Sequence, residues 1–167
     1  ADKFYPQFSG HLLDLCLGDF ALAKQMEALK RGLKPEEQTP FKLRRIYNEI
    51  KKAREILSVN KDTGFNVEDF FADRNLQVRL SKVEFEEKCA HVFDELSKLL
   101  ADFTASLKDK EGKELAFSRV EVIGGIARTP KVLEILRDVL KVPIGTHING
   151  DEGPAFGATV LAATFSP

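Results

Sequence analysis

The sequence predicts an α/β fold built as two subdomains, a helical and hairpin-bearing part over residues 1–81 and a second part over 82–167. Three observations carry this. Apolar residues recur at helical spacing over several long stretches, so each such stretch has one face to bury. Two short runs, Phe65–Phe71 and Asn75–Leu80, alternate apolar and polar residues as paired strands do. The last third changes character, with a β-branched strand, two glycines, a helix, an extended piece and a final small-residue helix in succession.

The elements follow in order. Leu12, Leu13, Cys16, Phe20, Ala23 and Met26 mark a helix over 10–31, which Gly32 should end. Thr39-Pro40 reads as a helix start, with the hydroxyl as cap and proline where no amide donor is needed. Leu43, Ile46, Tyr47, Ile50, Ala53 and Leu57 form the buried stripe of that second helix, which should end near Ser58. Residues 60–64 read as a turn, and Ala72-Asp73-Arg74 as a hairpin link. Ser81-Lys82-Val83-Glu84 is a capping box opening one long helix that carries Phe85, Cys89, Val92, Phe93, Leu96, Leu99, Leu100 and Phe103. Lys108 to Glu114 reads as a solvated charged loop. Val120–Ile123 is a short strand, and Thr129-Pro130 a second helix start, its hydroxyl again the cap. Residues 142–148 read as extended, and Phe156 to Phe165 as a helix suited to close packing on a sheet.

Composition narrows the function classes. The 167 residues are 43% hydrophobic and 31% charged, ordinary for a globular domain able to bury its own core. Lys and Arg number 25 against 26 for Asp and Glu, which leaves no basic footprint for nucleic acid or an anionic membrane surface. No apolar run approaches the roughly 20 residues of a membrane-spanning helix. Cys16 and Cys89, far apart and inside apolar helical patterns, read as reduced core thiols, which points to a reducing compartment. The opening Ala-Asp-Lys-Phe-Tyr-Pro has no secretory pattern, and Met26 is the only methionine, so the chain is expected to belong to a longer product.

Gly124-Gly125, between a strand end and a helix start, is the most informative local feature. Glycines there let a ligand approach the backbone without meeting a Cβ, at the strand end where α/β folds commonly bind ligands. Arg128 follows closely, with a guanidinium able to stack on a purine. Asp151 opens the final helix. On the second helix Lys51, Arg54 and Ser58 are spaced to share one polar face. Each has a plainer reading: a tight turn, a surface arginine, an N-cap aspartate and a solvated helix face.

Longer segments carry a likeness. Val120-Glu121-Val122-Ile123-Gly124-Gly125-Ile126-Ala127-Arg128-Thr129-Pro130 resembles the adenosine motif of the seventy-kilodalton heat-shock chaperones. Residues 148–158, Ile-Asn-Gly-Asp-Glu-Gly-Pro-Ala-Phe-Gly-Ala, are similar to that family's Ile-Asn-Pro-Asp-Glu segment and its following helix. Ala53–Ser58 resembles its Ala-Lys-Arg-x-Leu-Ser, Phe85–Cys89 its Phe-Glu-Glu-Leu-Cys, and Phe8–Asp14, more loosely, its Leu-Gly-Gly-x-x-Phe-Asp. Val-Glu-Val-Ile-Gly-Gly, Leu-Ser-Val-Asn at 57–60 and the closing Phe165-Ser166-Pro167 lean toward the hundred-and-ten and hundred-and-seventy-kilodalton branch.

The resemblance implies the second lobe of an actin-like ATPase. It implies a nucleotide-binding domain fragment in which Lys51, Arg54, Ser58, Gly124, Gly125, Arg128 and Asp151 serve the adenosine of ATP or ADP. The family's phosphate-binding Asp-Leu-Gly-Thr segment and its second Gly-rich hairpin do not occur in these residues, so no ATP hydrolysis and weak or no nucleotide binding are expected of the chain alone. Lys51 stands where the family has glutamate, Arg54 where it has lysine, Glu55 where it has a stacking arginine, and Ile126 where it has a small residue. The implied partners are the rest of its own ATPase domain and, in the alternative reading, another chaperone whose nucleotide exchange it promotes, with the chain itself monomeric. The expected location is the cytoplasm, with the reticulum lumen as alternative. A sugar kinase of the same fold also carries a Gly-Gly loop, but the Arg-x-Pro ending and Asn-Gly-Asp-Glu argue against it.

Overall fold

The computed structural model describes residues 5, 6, 8–72, 74–108 and 117–165. Asp73 of the hairpin link, most of the charged loop after Lys108 and the closing Ser166-Pro167 lie outside the described residues. The chain divides into two compact units. One is Phe8–Val92, and the other joins Ala1–Gln7 to Phe93–Pro167. The division falls later than residue 81 because the helix that follows packs on the hairpin and on the first helix.

In the first unit, α1 (Gly10–Leu29) starts where the Ser9 hydroxyl accepts the Leu12 amide, and it buries Leu13, Leu17 and Ala21. Lys30, not Gly32, ends it. Its left-handed backbone (φ 51°) turns the Lys30 and Arg31 amides back onto the Glu27 and Met26 carbonyls. A 3-10 turn, Pro35–Glu37, leads to α2 (Pro40–Leu57), capped by Thr39 as expected and burying Ile46, Ile50, Ala53 and Leu57. The two helices approach closely at Gly18, where a Cβ would stand 2.7 Å from the Tyr47 ring.

The hairpin differs from its expected limits. β1 (Asp62–Val67) starts inside the expected turn, and β2 (Leu76–Ser81) pairs with it antiparallel, Asp62 opposite Ser81 and Val67 opposite Leu76. Neighbouring strand residues point to opposite faces, so a strand through 70–71 would expose one of two phenylalanines. The chain instead leaves the strand, bends at Asp69 (φ 50°) and buries both Phe70 and Phe71, edge to face.

The Ser81–Glu84 capping box forms, opening α3 (Lys82–Lys88). The single long helix expected here is two: the chain breaks at Cys89, and α4 (Ala90–Ser106) follows. Cys16 of α1 lies at this break, Cα to Cα 6.0 Å from Cys89, and the two form a disulfide. The reading of both as reduced thiols is therefore overturned. Spacing along the chain carries no information about which helix face meets which break. Closing a loop with a sequence separation of 73 contributes about 4 kcal/mol in the chain-entropy picture.

The second unit pairs β3 (Val120–Glu121) with β4 (Ile144–Gly145) in parallel, joined through α5 (Pro130–Leu140). Both strands are shorter than expected. α5 buries Val132, Ile135 and Leu136. The last helix, α6 (Gly153–Thr164), is not packed as its composition suggested. Phe156 is 62% exposed and Val160 67%, and no residue of the helix is buried. Among the described residues no helix is long and apolar enough to cross a membrane.

One acid is set apart by its surroundings. The Arg31 guanidinium donates to both oxygens of buried Glu37, at 2.8 and 2.7 Å, and the Lys34 amide adds a third bond. Chiefly through Arg31, against the opposing effect of burial, the Glu37 pKa falls to about 2. A depressed folded pKa stabilises above the ordinary carboxylate range and loses that stabilisation as the pH falls toward 2. Glu37→Gln should therefore lower the melting temperature at neutral pH, with the gap to wild type closing near pH 2. A gap that does not change with pH in thermal melts would contradict this.

Candidate functional site

The second unit holds a compact loop system at the strand ends. Beyond β3 the backbone reaches Gly124 at φ 96°, ψ 156°, a conformation open essentially to glycine alone. A 3-10 turn, Gly125–Arg128, then leads into α5. Above both glycines the space is open, with nothing within 4 Å of where a Cβ would stand. The Gly124 amide donates to the Gly150 carbonyl at 3.0 Å, which joins the glycine turn to the loop after β4. Gly150 eases that approach, since a Cβ there would lie a tight 3.1 Å from the Gly124 nitrogen.

Asp151 does not cap the final helix; Glu152 holds the cap position. The Asp151 amide donates to Asn149 Oδ1, and its carboxylate accepts from Arg128 at 2.5 Å. Arg128 is thus held beside the glycine turn, 60% exposed. A cavity of about 460 Å³ adjoins it, lined among others by Val122, Gly124, Arg128, Leu133, Ile148 and Asn149. Nearby, the Glu121 carboxylate folds across Gly145 to accept the His147 amide and to meet the His147 ring nitrogen, and the His147 contact lowers its pKa. The Thr129 hydroxyl, expected as a cap, makes no such bond and is buried without a hydrogen-bond partner among the described residues.

In the first unit Lys51, Arg54 and Ser58 do not share a polar face. Lys51 is exposed, whereas Arg54 is 6% exposed, among Ile50, Ala53 and Leu57. Its Nε donates to Asp14 Oδ1 of α1 at 2.6 Å. The Ser58 hydroxyl donates to the Glu55 carbonyl one turn back. Sequence reasoning missed the role of Asp14. Its signal was present as an acid set among Leu12, Leu13 and Leu17, a position that demands a buried cation.

The sequence profile described as Hsp70 protein matches residues 5–167. Hypoxia up-regulated protein 1 of Mus musculus is 31% identical over 148 residues, covering 87% of this chain and 14% of the relative. The Xenopus tropicalis protein of that name is 32% identical over 155 residues, covering 92% and 24%. Heat shock 70 kDa protein 4L of Homo sapiens is 27% identical over 168 residues, covering 100% and 19%.

The chain belongs to the Hsp70 family. Within it the chain falls on the large, hundred-and-ten and hundred-and-seventy-kilodalton branch, and it spans a quarter or less of the length of those relatives. Hsp70 membership brings the actin-like ATPase fold, with which the helices and small sheets are compatible. The two units differ in what they leave open. The glycine turn has an open backbone, an adjoining cavity within the usual size range for small-molecule sites, and a fixed guanidinium. On α2, Arg54 is already occupied by Asp14.

Two contrasts test this geometry. Gly124→Ala should cost about 1–3 kcal/mol for its backbone conformation, whereas Gly125→Ala should stay within about 1 kcal/mol. Asp14→Ala strands a buried guanidinium and should cost about 3 kcal/mol, against less than about 1 for Asp151→Ala in its exposed pair. Urea unfolding of the four variants measures both, and equal costs within either pair would contradict the assignment.

Proposed function

We propose that the chain is part of the nucleotide-binding domain of a large Hsp70-family chaperone, contributing to the adenosine side of its ATP site and inactive as an ATPase alone. The open glycine turn at Gly124-Gly125, with Arg128 held beside it by Asp151, carries this reading. Backbone without Cβ atoms admits a ribose and base, and a guanidinium already fixed in place loses little freedom on stacking against a purine. ATP supplies the phosphoanhydride in the parent. These residues supply only binding, because neither phosphate-binding segment of the family occurs among them.

The rest of the parent's ATPase domain is the first partner. An exposed helix as apolar as α6, with Phe156, Val160 and Leu161 open to water, fits a segment covered in the assembled domain. The second reading, an interaction module acting in nucleotide exchange on another chaperone, draws support from α2. There Arg54 is spent on Asp14, and Lys51 and Glu55 depart from the family's charges. The Cys16–Cys89 disulfide favours an oxidising compartment, the reticulum lumen, over the cytosol.

Association costs several kcal/mol of lost freedom, and here no phosphate contact offsets it. Calorimetric titration with ADP should therefore give a dissociation constant no tighter than about 1 mM, with ATP turnover at the buffer blank. Low-micromolar binding, or turnover that follows the protein peak through repurification, would overturn this reading.

A further inference from the structure

We propose that the Cys16–Cys89 disulfide is a reducible latch on the first unit, released by a dithiol without unfolding the unit. Three observations carry this. The two cysteines differ in access: Cys89 is fully buried, while Cys16 on α1 is half-buried. The bond sits at the one break in an otherwise continuous helical run, where Cys89 holds a non-helical backbone between α3 and α4. And α1 keeps other fasteners when the bond opens. Asp14 remains tied to Arg54 at 2.6 Å, Lys24 donates to Glu84 at 2.6 Å and to the Arg79 carbonyl at 2.9 Å, and Leu13, Leu17 and Ala21 stay buried. The ties before and after it along α1 are independent of it.

The chemistry is thiol–disulfide exchange. A thiolate of the dithiol attacks Cys16 Sγ, the Cys16–Cys89 bond breaks, and Cys89 leaves as a thiolate that takes up a proton. The second thiolate of the reductant then attacks its own sulfur of the mixed disulfide and expels Cys16 as a thiolate, which is protonated. The protein gains two protons and two electrons, and the dithiol is oxidised to its disulfide. With the bond open, α1 near Cys16 and the α3–α4 joint lose a covalent restraint on local opening, while the β1–β2 hairpin keeps its pairing and packing.

The test is amide hydrogen exchange on the full chain, purified without reductant and compared before and after dithiothreitol, with non-reduced peptide mapping of both samples. The latch predicts a mapped Cys16–Cys89 peptide pair before reduction. After it, exchange should rise at least tenfold in 12–20 and 84–92 with little change in 62–67 and 76–81. Cys16→Ser with Cys89→Ser should show the reduced pattern with or without dithiothreitol. Three results would overturn the proposal: free thiols in the unreduced chain, a global loss of protection on reduction, or reduction that proceeds only at the rate of global unfolding in denaturant.

Discussion

The guanidinium of Arg54 lies 2.6 Å from the carboxylate of Asp14, and both are largely withdrawn from water. Neither charge would be tolerable there alone, because desolvating an unpaired ion costs far more than the apolar contacts around it return. The pair thereby fixes which face of α1 meets α2, and the close seating of Gly18 on Tyr47 follows from that same approach. With α1 set, its other sides are committed as well. Cys16 reaches the α3–α4 break, and Lys24 reaches the capping box that opens α3. The first unit is in this sense a helix with charged, covalent and apolar ties spread along its length.

That pair also bears on function. A position which the family's pattern directs toward nucleotide is here turned inward, so the proposed adenosine contact rests on the second unit. There the requirements are backbone ones. A glycine in a conformation closed to other residues, a second glycine in open space and an opposing Gly150 bring two loops together, and one exposed ion pair fixes a guanidinium beside them. On the proposed reading such a loop would bind through shape more than charge, in keeping with a net charge of −1 for the whole chain.

Much of this was legible in the sequence where the signal is local. The Thr39 and Ser81 caps, the stripes of α2 and α5, the glycine turn and the likeness to heat-shock chaperones all depend on residues a few positions apart. By contrast, α1 buries Leu17, Ala21 and Leu22 in place of the expected Cys16, Phe20, Ala23 and Met26. What escaped depends on partners distant in the chain. The disulfide was invisible because helical periodicity does not say where a helix will break. Arg54 was placed on a polar face shared with Lys51 and Ser58 because its partner, Asp14, lies 40 residues earlier. The hairpin limits slipped at Phe70-Phe71, where two adjacent aromatics both required burial and strand alternation could not supply it. The packing of α6 was misread for another reason: an apolar composition says that a helix seeks cover, and here the cover is absent from around it.

The central claim is that the glycine turn and its neighbouring loop are where this chain meets adenosine. Amide chemical shifts of the isotopically labelled chain, followed by nuclear magnetic resonance as ADP is raised into the millimolar range, address it most directly. The account predicts saturable shifts confined to 122–128 and 146–151, with the Gly124, Gly125 and Arg128 amides moving most and α2 nearly still. No shifts at Gly124 and Gly125 up to the solubility of the nucleotide, or shifts centred on α2, would contradict it.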